Sequence, residues 1–171
     1  MKNIDIELKG IYREDDGVRR AREKAMVFLS YGEHTVKSMY EKLSKCGFEK
    51  DDINAVLSYL TERGYINEAD YFERFCEYNA TKKGYGSSRI LLMARAKGFS
   101  AKTINENAGK VLNRFDFTGI CLSQLEKIKS LDLSDKKSKD KAISALARRG
   151  FSLSEIKKAF ALYAKEDQPL Y

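Results

Sequence analysis

The sequence predicts an all-α protein built from three tandem three-helix repeats. Three observations carry that expectation. A single proline, Pro169, stands in 171 residues, so nearly every segment is free to be helical. Apolar residues recur at helical spacing from Arg19 onward, whereas the alternation a strand needs is confined to Ile4 to Leu8. The pair Gly-Phe recurs at Gly47-Phe48, Gly98-Phe99 and Gly150-Phe151, spaced by 51 and 52 residues.

Around each pair the apolar positions match. Leu43, Ala94 and Leu146 stand five residues before the phenylalanine, and Tyr40, Leu91 and Ile143 eight before it. Ile53, Ile104 and Ile156 follow it by five, Leu57, Ala108 and Phe160 by nine, and Leu60, Val111 and Tyr163 by twelve. These offsets trace the inward stripes of two successive helices, repeated three times. A unit of roughly fifty residues has little core of its own, and stacking gives it a second buried face. Glycine suits the left-handed residue that ends a helix, and the phenylalanine beyond it can fold back on the preceding turn.

The elements follow in order. Residues 1–18 read as a tail that includes the edge strand Ile4 to Leu8. In the first repeat, residues 19–66, Ala21, Ala25, Phe28 and Leu29 share one helical face, which stops near Gly32. Thr35 then caps a helix striped by Val36, Met39, Tyr40 and Leu43, and a third carries Ile53, Val56, Leu57 and Leu60 to a stop at Gly64. The second repeat, residues 67–115, opens with Asn67 capping a helix that runs to about Lys83. Its aromatic set, Tyr71, Phe72, Phe75 and Tyr78, suits core packing better than base stacking. Gly84, Tyr85 and Gly86 form a tight joint before the helix Ser87 to Lys97, and Ser100 opens the next. In the third repeat, residues 116–171, Asp116 caps a helix ending near Leu131 and the chain breaks near Ser134. Ser152 and Glu155 form a capping box, and Asp167 to Tyr171 fray.

Composition narrows the function. Hydrophobic residues make up 43% and charged residues 33%, the balance of a folded chain. No run approaches the roughly 20 apolar residues that span a bilayer, and the N-terminus is acidic where a signal peptide is apolar, so a cytoplasmic protein is expected. Cys46, Cys76 and Cys121 are far apart, with no C-x-x-C pair, and read as free buried thiols; His34 is the only histidine. Neither a metal site, a cofactor nor a His-based triad is expected, and no acidic pair suggests acid–base catalysis. Lys82 to Gly86 resembles a phosphate loop only superficially, because no lysine precedes Ser87 and no strand leads in. The chain reads as a binding protein, not an enzyme.

Charge points to an anionic partner. The net charge is +7, with Lys and Arg balancing Asp and Glu at 12 each over residues 1–66, and excesses of 9 over 5 and 11 over 8 in residues 67–115 and 116–171. Lys82, Lys83, Arg89, Arg95 and Lys97 gather in the second repeat, and Arg148 and Arg149 extend the set in the third. With Ile90, Leu91 and Ala94 inward, Arg89 and Leu92 face away. Leu92 and Tyr85 are then candidate apolar anchors for a partner, the rival for Leu92 being packing against a neighbouring helix.

Several motifs together resemble the RecX family of recombination regulators. They are the run Gly64 to Phe75, then Lys83 to Gly86, Arg89-Ile90 and Ala96 to Phe99, with His34-Thr35 and Arg148 to Ser152 as outliers. The resemblance covers roughly residues 19–165. It implies an elongated, curved array of three-helix repeats in a bacterial cytosolic protein. It also implies a partner, the RecA recombinase filament on single-stranded DNA, whose ATP hydrolysis, strand exchange and coprotease activity such proteins inhibit. A monomer is expected. Two departures stand out: Ser87 where the family usually has proline, and Leu91 to Ala94 where it has a polar stretch with an arginine. The alternative reading is a helical repeat protein that binds single- or double-stranded DNA directly, with affinity that falls steeply with salt.

Overall fold

In the computed structural model, which describes residues 16–128 and 132–166, every regular element is helical. In chain order these are α1 (Asp16–Ser30), α2 (Val36–Lys45), α3 (Lys50–Glu62), α4 (Glu68–Glu77), α5 (Ser87–Lys97), α6 (Ala101–Leu112), α7 (Phe117–Leu125), α8 (Lys136–Arg148) and α9 (Leu153–Glu166). The expected strand at Ile4 to Leu8 and the frayed segment Asp167 to Tyr171 lie outside the described residues. No described helix is long and apolar enough to cross a membrane. The chain divides into two compact units, one ending at Tyr71 and one beginning at Phe72.

In the first unit α1, α2 and α3 pack around Ala21, Ala25, Met39, Leu43, Ile53, Val56 and Leu60. The small Ala21 and Ala25 let α1 approach its neighbours closely, while Phe28 and Leu29 lie half-buried at the edge. Thr35 is buried and its hydroxyl accepts from the Ser38 amide at 3.1 Å, so the expected cap forms. Glu68 secures the same helix start by accepting from the Val36 amide at 2.9 Å.

The second unit holds α4 from Phe72 onward and the helices after it, with α9 against α7 and α8, and α5 against α6. Phe99 is buried with the rings of Phe72 and Phe75 each 5.4 Å away. Caps expected from Asn67, Ser100 and Asp116 all form through side-chain oxygens. Ser152 and Glu155 exchange two hydrogen bonds, the reciprocal arrangement of a capping box.

The three Gly-Phe pairs share one geometry. Gly47, Gly98 and Gly150 have φ of 84°, 94° and 91°, and each following phenylalanine amide bonds back to the carbonyl of Leu43, Ala94 or Leu146. That is the 6→1 bond of a Schellman cap, and the left-handed residue inside it favours glycine. The residues five before and five after each phenylalanine are buried in all three copies.

Four local expectations differ from the structure. The helix from Asn67 does not run regularly to Lys83, because Tyr78–Lys82 form a π turn in which Asn79 is buried and donates to the Phe75 carbonyl. Tyr78 is 52% exposed, with Lys83 over its ring, since the π turn carries it off the core face. Helix α7 stops at Leu125 instead of continuing towards Leu131; beyond it the Ile128 amide bonds to Leu125, a tighter turn that closes the helix. Cys76 and Cys121 are buried as expected, but Cys46 is exposed because it sits at the C-cap of α2.

Candidate functional site

The candidate residues fall into two groups in the second unit. Tyr85, Arg89 and Arg149 are half-buried and meet at a joint between the start of α5 and the end of α8. Lys82, Lys83, Leu92, Arg95, Lys97 and Arg148 are exposed.

The joint rests on backbone contact. The Gly86 amide donates to the Arg149 carbonyl at 2.8 Å and the Ser88 amide to the Gly150 carbonyl at 3.3 Å. Two orphan donors of one helix start thereby satisfy two orphan acceptors of another helix end. A side chain on Gly86 would run into the backbone of Gly150 and Phe151, and one on Gly150 into the backbone of Arg89. The glycines are needed because the two main chains touch.

The arginines close this joint reciprocally. Arg89 Nη1 donates to the Arg148 carbonyl at 2.9 Å, and Arg149 Nη1 donates to the Lys83 carbonyl at 3.2 Å. Both guanidinium groups lie over the Tyr85 ring, at 4.4 Å and 5.7 Å from its centre. Cationic donors on helix-end carbonyls also complement the negative end of the helix dipole. The Tyr85 amide is held by the Asn79 carbonyl at 3.0 Å, so the π turn sets where the ring stands. Tyr85 is therefore an internal hub.

Around it the surface is basic. Lys82, Lys83, Arg95 and Arg148 make no ion pair with another described residue. Leu92 is 64% exposed, so the neighbouring-helix reading does not describe it. Beyond Tyr71 the chain carries 20 Lys and Arg against 11 Asp and Glu. Among the described residues no group of three or more His, Cys, Asp or Glu is arranged to hold a metal.

Sequence reasoning missed Asn79 and Gln124. A polar residue amid the Tyr71–Tyr78 aromatic stripe was a signal for Asn79. Gln124 packs over Gly84, where a Cβ would collide with its amide, and nothing local marks it.

Comparison with known proteins bears on this arrangement. Residues 21–60 match the family model for RecX, first three-helix domain. The chain is 28% identical over 148 residues to the regulatory protein RecX of Streptococcus gordonii, covering 84% of this chain and 56% of that protein. It is 30% identical over 139 residues to the same-named protein of Streptococcus pneumoniae, covering 80% and 52%. The chain thus spans about half the length of the curated relatives it matches. The crystal structure of RecX from Lactobacillus salivarius superposes with a TM-score of 0.76 at 21% identity, over 85% of this chain and 96% of that one.

Proposed function

Since this chain belongs to the RecX family, we propose that it regulates homologous recombination by binding the RecA filament on single-stranded DNA, without a reaction of its own. In this reading it lowers the filament's ATP hydrolysis, strand exchange and coprotease activity as a monomer in the cytoplasm. Drawn as repeats, the chain divides at residues 19–66, 67–115 and 116–171.

The observation that carries the reading is the basic surface of the second unit. Lys82, Lys83, Arg95 and Arg148 are exposed without a counter-ion among the described residues, and Leu92 stands exposed on α5. Such charges steer a partner and set orientation, while an exposed leucine supplies apolar contact. Lys97 belongs to the same helix end. Arg89, Arg149 and Tyr85 act differently. They hold α5 against the end of α8 and so fix the spacing of the exposed charges.

The test is recombinase ATP hydrolysis on single-stranded DNA with increasing amounts of this chain. Reversing Lys82, Lys83 and Arg148 to glutamate together is expected to abolish inhibition while helical content is kept. Unchanged inhibition by that variant would overturn the assignment of the surface. The alternative, direct DNA binding, shares the same charges. It requires affinity for bare single- or double-stranded DNA, falling steeply with salt, and inhibition only once the DNA is coated.

A further inference from the structure

Two cavities of the second unit occupy the same place around successive Gly-Phe caps, and only one of them is flanked by further helices. The first, about 530 Å³, lies against α5 and α6 beside Leu91, Ala108 and Leu112. The other, about 510 Å³, lies against α8 and α9 beside Ile143, Phe160 and Ala164. Each set stands eight residues before, nine after and thirteen after its phenylalanine, Phe99 or Phe151.

What flanks them differs. Phe115 and Phe117 reach the first from the start of α7, their rings 6.0 Å apart, and Glu155 reaches it from the first turn of α9. Phe117 is buried there. That groove therefore receives helix starts bearing aromatic rings and one carboxylate. No described residue takes those places on the second groove. Apart from Leu133, every residue that lines it belongs to α8 or α9. Because α9 lies chiefly against α7, Ile143 and Phe160 stay half-buried, whereas Leu57, at the position of Phe160 in the first repeat, is buried.

The open groove also differs in charge. Lys139 and Lys157 line it where the second repeat has Ser87 and Asn105. Lys157 is exposed and makes no ion pair with another described residue, while Lys139 is half-buried with Asp132 in electrostatic reach. Residues 132–166 carry nine Lys and Arg against five Asp and Glu. Ala161 and Ala164 on α9 are short and exposed, so another helix can come close. An apolar trough between two helices, rimmed by cations, suits the apolar face of a third helix with acidic flanks.

We propose that the groove between α8 and α9 docks an amphipathic helix of a protein partner. An aromatic or leucine side chain of that helix sits between Ile143 and Phe160, and its Asp or Glu residues face Lys139 and Lys157. The partner does there what the starts of α7 and α9 do one repeat earlier. The inference stands apart from Lys82, Lys83 and the recombinase reading.

The experiment titrates the full chain, isotope-labelled for NMR, with a blocked peptide of about 18 residues, long enough to hold a helix. The peptide carries leucines and one phenylalanine along one face, glutamates on both flanks and alanine elsewhere. A twin has glutamine for every glutamate. The glutamate peptide is expected to shift the amides of Ile143, Phe160, Ala161 and Ala164, and the twin to bind at least about 5-fold more weakly. Lys139→Glu combined with Lys157→Glu should weaken binding by about 5- to 30-fold. Ala161→Glu, at an exposed helical position, should abolish binding while helical content is kept. Lys82→Glu combined with Lys83→Glu should leave peptide binding unchanged, so failure here and failure of the recombinase reading are read separately. No shift at millimolar peptide, or equal binding of the twin, would overturn the groove. So would an equal loss in the Lys82 and Lys83 variant, which would mean diffuse attraction to the basic surface. The same amides answering a thymidine oligonucleotide would make the lysines phosphate contacts and overturn the helix. Concentration-dependent dimerisation lost in Ala161→Glu would assign the groove to a second copy and overturn the separate partner.

Discussion

Replacing Gly86 with alanine isolates the close approach at the α5–α8 joint from every other role of glycine. Gly86 has φ −76° and ψ 163°, a conformation alanine adopts without strain. By reducing unfolded-chain entropy, the change alone would stabilise by about 0.4–1 kcal/mol. The tertiary contact reverses that sign. A Cβ there would lie 2.5 Å from the Phe151 nitrogen and closer still to the Gly150 carbonyl. Restoring ordinary contact requires the two main chains to separate by roughly 1 Å. The Gly86 to Arg149 bond at 2.8 Å and the Ser88 to Gly150 bond at 3.3 Å then stretch beyond bonding distance. Overpacking costs about 1–3 kcal/mol, and each lost hydrogen bond about 1 kcal/mol more. The net destabilisation is therefore on the order of 3 kcal/mol, and the thermal midpoint should fall by roughly 6–12 °C. Urea unfolding followed by helical circular dichroism measures it. Gly47→Ala is the control, because its φ is 84° and nothing lies within 4 Å of the new methyl; strain alone predicts about 1–2 kcal/mol. A Gly86→Ala protein within about 0.5 kcal/mol of the parent, inside the range of neutral surface changes, would refute the argument.

Truncating Phe99 to alanine should cost about 3–5 kcal/mol, since the ring is buried against Phe72 and Phe75. The equivalent change at the half-buried Phe48 should cost less in the same denaturation experiment. The cysteines predict an alkaline limit. Burial pushes the Cys76 thiol up to about 12 and the Cys121 thiol to about 11, Glu155 adding to the latter, from an ordinary value of 9.0. Between those values the unfolded chain has released protons that the folded chain keeps, so stability falls as pH rises. Its contribution is complete below pH 9.0 and is lost progressively towards pH 11 to 12. A thiol reagent at neutral pH should label Cys46 in the native protein and the other two only on unfolding, as counted by mass spectrometry.

Much of the fold was legible because its signals are local. Thr35, Asn67, Ser100, Asp116 and Ser152 cap helices with side chains that reach only two or three residues along the chain. The Gly-Phe pairs reach back five residues and recur three times, so their offsets exposed both the helix ends and the buried stripes. The π turn at Tyr78–Lys82 escaped because inserting one residue into a turn leaves no mark on an apolar period already crowded with aromatics. The early end of α7 escaped as well, since the residues after Leu125 are good helix formers.

The sequence by itself determined that the chain is helical and repeated, where five of its helices start, and which half carries the positive charge. Those properties depend on neighbours in the chain or on simple counting. Only the tertiary structure divided the candidate basic residues. Arg89 meets the Arg148 carbonyl across 59 positions, and Arg149 meets the Lys83 carbonyl across 66. No local pattern records a contact made over such a distance. The same charged side chain caps a helix when a carbonyl happens to face it and stays at the solvent-exposed surface when none does. That is why Arg89 and Arg149 hold the joint together while Lys82, Lys83 and Arg148 remain at the surface.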